Sequence, residues 1–79
     1  MLLDHHVRAL RALREDSWLD FVSAASITGL PFALLETALS WLVRLGYVQR
    51  AQEPPGFHIY RLTPRGALRL TEPFPEGSP

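Results

Sequence analysis

Five of the eight arginines in this 79-residue chain (Arg44, Arg50, Arg61, Arg65 and Arg69) fall between residues 44 and 71, where Glu53 is the only carboxylate. That segment carries a net plus four, although the whole chain balances to zero. Residues 1–43 contribute minus two, with Arg8, Arg11 and Arg14 set against Asp4, Glu15, Asp16, Asp20 and Glu36, and Glu72 and Glu76 add a further minus two. The cations are all arginine, whose planar fork suits phosphate and guanine edges better than a lysine ammonium does. A neutral average argues against a simple polybasic coat, but a local basic segment can still meet phosphates.

Other chemistry is poorly supported. His5 and His6 follow Asp4, but adjacent helical side chains point about 100° apart and do not form a shared ligand set. These residues read as a polar first turn, and no metal or other cofactor is expected. Cysteine is absent, which excludes disulfides, thiolate zinc sites and cysteine nucleophiles. Nor is there a Ser-His-Asp set or a glycine-rich phosphate loop, so no enzymatic activity is expected. No apolar run approaches the roughly 20 residues of a membrane span. The N-terminus lacks a secretory layout, so the expected location is cytoplasmic.

The elements that must position the arginines can be read from periodicity. One domain is expected over 1–71, followed by a disordered Pro/Glu tail at 72–79. A first helix places Leu3, Val7, Leu10 and Leu13 at helical spacing, with Asp4 as its cap. Asp20 offers a second cap, and Phe21, Ala24, Ala25 and Thr28 form a short helix ending at Gly29. After the Gly29-Leu30-Pro31 turn, Leu35, Ala38, Leu39 and Leu42 make the inner stripe of a third helix, which Gly46 closes. The period then changes to that of strands, at 47–51 and 57–62, joined by a Pro-Gly turn. Thr63 and Pro64 start a last short helix.

This order, and two stretches in particular, resemble the winged helix-turn-helix of bacterial regulators of the MarR, PadR and IclR kinds. The first is Ile27-Thr28-Gly29-Leu30-Pro31 followed by Leu35, Leu39, Leu42 and Gly46-Tyr47-Val48. The second is Tyr60-Arg61-Leu62-Thr63-Pro64-Arg65-Gly66. The resemblance implies an α+β, mainly α fold: three helices, a two-stranded wing hairpin and a short C-terminal helix. It also implies a transcriptional regulator that binds double-stranded DNA, with the third helix in the major groove.

On that reading the outer positions of the third helix are Phe32, Ala33, Glu36, Thr37 and Ser40, with Arg44 further along. Thr37 and Ser40 suit base reading, and Glu36 can accept from a cytosine amino group. Arg44, Arg50, Arg61 and Arg65 are expected to hold phosphates from one face. Arg61 alternates with Tyr60 and Leu62 and should point outward. His58 sits near the wing tip, where proteins of this fold often touch the minor groove or backbone. A homodimer is expected for reading two half-sites, through the first helix, the last helix or an apolar patch. The same fold also serves as a protein-docking module. In that alternative, Phe32, Trp41 and Leu2-Leu3 form one exposed patch for a partner in a transcription or replication assembly.

Overall fold

The computed structural model describes residues 2–54 and 56–72. The elements run α1 (Asp4–Ala12), β1 (Leu19–Asp20), α2 (Phe21–Thr28), α3 (Phe32–Arg44), β2 (Val48–Glu53), β3 (Phe57–Leu62) and α4 (Pro64–Leu70). The tail expected to be disordered lies, from residue 73 onward, outside the described residues.

The core is built around α3. Its stripe Leu35, Ala38, Leu39 and Leu42 is completely buried. Ala9, Leu10 and Leu13 reach it from the first helical segment, Ala24 and Ala25 from α2, and Val48, Tyr60 and Leu62 from the wing. Each fully buried leucine removes enough apolar surface to stabilise the fold by roughly 1.5–3 kcal/mol.

The ends of the helices are set locally. At α2, Asp20 Oδ1 accepts from the Ser23 backbone N–H at 2.7 Å, and the Ser23 hydroxyl donates to Oδ2 at 3.1 Å. These bonds hold the Asp20 carboxyl below its usual pKa. Gly29 ends α2 in the left-handed region, at φ 71°. The buried Thr28 hydroxyl ties the corner together, donating to the Ala24 carbonyl at 2.8 Å and accepting from Leu30 N–H at 3.3 Å. Pro31, the last residue of the turn, is the N-cap of α3. At the far end Gly46 takes φ 84°. Gly46 N–H donates to Val43 O and Tyr47 N–H to Leu42 O, both at 3.0 Å, which satisfies carbonyls that the helix end would leave open.

α1 departs from its expected cap and from part of its expected face, which keeps Leu10 and Leu13. Leu3, not Asp4, is the N-cap, and its backbone N–H donates to His6 Nδ1 at 3.0 Å. Asp4 pairs instead with Arg8, at 3.1 Å across one exposed turn. His6, Ala9, Leu10 and Leu13 face inward, while Leu3 stays 52% exposed. His6, Ala9, Leu10 and Leu13 share one helical face, while Leu3 caps the helix from outside it and Val7 is half-buried.

The expected two-stranded wing is widened by a third strand, giving an antiparallel sheet in the order β1-β3-β2. β1 pairs Leu19 with Tyr60 and Asp20 with Ile59. In the hairpin, Arg50 lies opposite Tyr60, Gln49 opposite Arg61 and Gln52 opposite His58. α4 is capped by Thr63, whose hydroxyl accepts from Gly66 N–H at 3.0 Å and donates to the Gly46 carbonyl at 2.6 Å. Among the described residues, no single helix is long and apolar enough to cross a membrane.

Candidate nucleic-acid interface

The outer face of α3 follows from its inner one. With 35, 38, 39 and 42 buried, residues 36, 37, 40 and 44 project away from the core. Glu36, Thr37 and Arg44 are exposed and Ser40 is half-buried. The Thr37 hydroxyl donates to the Ala33 carbonyl at 3.0 Å and keeps its lone pairs for a further donor.

The wing brings Arg50 to this face. Its register opposite the buried Tyr60 puts Arg50 on the α3 side of the sheet. From there Nη1 donates to Ser40 Oγ at 3.4 Å, and Ser40 in turn donates to Glu36 Oε2 at 3.5 Å. Both bonds are long and exposed, so they orient the side chains weakly. The Tyr60 hydroxyl lies near this cluster, buried and without a hydrogen-bond partner among the described residues. Burial pushes its pKa above the usual value, and the nearby Arg50 acts against that rise. His58, two residues earlier on the same face of β3, sets its ring edge-on to Tyr60 at 6.4 Å. Glu36, Thr37, Ser40, Arg44, Arg50 and His58 therefore share one surface between α3 and the wing.

Two expected members lie elsewhere. Arg61 points outward as alternation requires, but that direction is the opposite sheet face from Arg50. Its guanidinium stacks over Trp18 at 4.5 Å, and Nε donates to Gln49 Oε1 at 3.0 Å. Arg65 lies beyond the C-terminal end of α3, over the Tyr47 ring at 5.4 Å. The single four-arginine clamp is thus divided, Arg61 by the cross-strand register and Arg65 by its place at the start of α4, leaving Arg44 and Arg50 beside the α3 outer face.

The expected apolar patch is divided as well. Phe32 and Trp41 are nine residues apart, about two and a half helical turns, and so occupy opposite sides of α3. Phe32 meets Phe21 edge-on at 5.4 Å, whereas Trp41 lies toward His6 at 6.5 Å. Leu2 packs against the core and Leu3 is exposed.

His6 is a residue whose role the sequence did not show. It lines a groove of about 410 Å³ with Glu36, Thr37, Ser40, Trp41 and Arg44. Burial and the adjacent His5, whose ring centroid is 4.3 Å away, lower its pKa. Protonation would remove the Nδ1 acceptor that caps α1. A histidine with a depressed folded pKa contributes stability that is present above its unfolded value, about 6.5, and is lost as pH falls through the folded one. Acidification from about pH 7.5 to about 5 should therefore lower the thermal midpoint more in the parent chain than in His6→Gln. Glutamine at this position can receive the same backbone bond without titrating. Parallel midpoint curves for the two proteins would contradict the assignment. Among the described residues, no three His, Asp or Glu side chains are grouped to hold a metal ion.

No protein-family model and no curated protein sequence matches the chain. Solved structures do. MarR of E. coli, in a mutant form complexed with operator DNA, superposes with a TM-score of 0.73 at 22% identity, over 85% of this chain and 49% of MarR. The fold is a winged helix. BpsR of Bordetella bronchiseptica, whose DNA binding is regulated by 6-hydroxynicotinic acid, matches this winged helix at TM-score 0.81 and 19% identity, over 89% of the chain and 55% of BpsR. A Ralstonia eutropha protein whose description proposes DNA binding matches at TM-score 0.78 and 23% identity, over 90% of this chain and 95% of that one. The winged helix spans about half the length of the MarR and BpsR chains. At these identities the likeness is one of fold.

Proposed function

We propose that this winged helix binds double-stranded DNA and serves as the DNA-contacting unit of a transcriptional regulator. In this reading the outer face of α3 enters the major groove and presents Glu36, Thr37 and Ser40 to base edges. Arg44 and Arg50 hold phosphates at the groove margin, and His58 meets the backbone or minor groove from the wing. Arg61 acts indirectly, bracing the wing against Trp18. Two copies would read two half-sites.

One observation carries the proposal. Arg50, the wing arginine on the α3 side of the sheet, reaches Ser40 on its exposed side, in a fold also found in an operator-bound protein. The test is binding of the chain to duplex DNA at increasing salt. Each phosphate neutralised contributes a slope of about −0.9 in log K against log salt, so Arg44 and Arg50 together require about −1.8 or steeper. Absence of binding at low salt would reject the proposal.

A further inference from the structure

We propose that Glu36 is a specificity-determining residue that selects cytosine at one position of the bound DNA. This inference rests on the DNA-binding reading above and adds to it a base and a residue. A carboxylate on a surface that meets phosphates is at first sight misplaced, since like charges repel. Two features of its setting offset that repulsion. Arg50 is linked to Glu36 through the Ser40 hydroxyl, at 3.4 and 3.5 Å, and supplies a compensating charge on the same surface. Ser40 engages Oε2, and the exposed carboxylate keeps Oε1 accessible to a donor from outside.

The chemistry of that donor is restricted. An ionised carboxylate accepts hydrogen bonds and donates none. The major-groove edges of guanine and thymine offer acceptors and so repel it. Adenine presents an amino donor beside the N7 acceptor, an arrangement that suits a glutamine or asparagine amide. Cytosine presents its N4 amino group without an acceptor of its own beside it, and so pairs with a carboxylate. The exposed position of Glu36 in the N-terminal half of α3 is where this fold meets base edges.

The experiment is selection of duplexes from a pool with a randomised core, using the full chain, Glu36→Gln and Glu36→Ala. Bulk affinity for nonspecific duplex is measured in parallel. The parent chain should enrich cytosine at one position by roughly tenfold. Glu36→Gln should move that position to adenine, and Glu36→Ala should flatten it while the remaining preferences persist. Both variants should bind nonspecific duplex more tightly than the parent, because a negative charge that repels phosphates has been removed. An unchanged cytosine preference in both variants would overturn the proposal and leave DNA binding intact. Duplex binding by the parent chain with no base preference would do the same. Failure of the parent chain to bind any duplex would remove both this inference and the reading beneath it.

Discussion

Gly66→Ala is expected to cost about 3 kcal/mol or more, a large share of the stability of a domain this small. Gly66 is buried in α4, and a Cβ there would overlap the Tyr47 carbonyl, with Leu62 Cδ2 at 3.2 Å closing the other side. The carbonyl has little room to withdraw. It accepts from Thr63 N–H at 3.1 Å, while Tyr47 N–H is tied to Leu42 O at 3.0 Å. Thr63 is also bonded to the Gly46 carbonyl. The end of α3, the start of β2 and the cap of α4 thus form one bonded knot around the glycine. At an exposed helical site the same change would stabilise by about 0.5–1 kcal/mol, so the sign of the effect is informative. Urea unfolding measures it, and a midpoint equal to or above that of the parent would show that α4 does not sit this closely on Tyr47.

Leu39→Ala should be the next most damaging single change, at about 2–5 kcal/mol. Leu39 is completely buried in the middle of the α3 stripe. Removing most of its side chain opens a cavity in the core that α3 shares with α1, α2 and the wing. Leu34 on the same helix is 37% exposed and serves as the control. Truncation there should cost much less, because part of its surface already faces water. Since α3 carries the candidate reading residues, Leu39→Ala should also weaken duplex binding in proportion to the fraction unfolded. A Leu39→Ala protein as stable as Leu34→Ala would mean that α3 is not anchored by this stripe.

Features encoded locally were legible in the sequence. The apolar spacing of Leu35, Ala38, Leu39 and Leu42, the caps Asp20 and Thr63 and the stops Gly29 and Gly46 all act within a few residues. β1 was not legible as a strand, because two residues are too few to show alternation. On the inward face of α1, Leu10 and Leu13 were legible, whereas His6 and Ala9 occupy the places expected for Leu3 and Val7.

The candidate site was only half legible. Residues 36, 37, 40 and 44 fall on one helical face by arithmetic alone. The same arithmetic puts Phe32 and Trp41 on opposite sides of α3, so their separation was available from spacing. What spacing could not supply is the hairpin register. Pairing of Arg50 with Tyr60 and of Gln49 with Arg61 sends the two wing arginines to opposite faces, and a slip of one residue would put both on the same face. The contact of Arg50 with Ser40, ten residues away, depends on the same register.

That register makes the central claim testable in one measurement: duplex affinity against salt for the parent chain, Arg50→Ala and Arg61→Ala. The parent should bind, with log K falling as log salt rises, and Arg50→Ala should flatten the slope by about 0.9. Arg61→Ala should leave the slope unchanged, because its guanidinium lies on Trp18 behind the wing. No binding by the parent at low salt, or a flattened slope in Arg61→Ala with none in Arg50→Ala, would contradict α3 and the inner face of the wing as the DNA-binding surface.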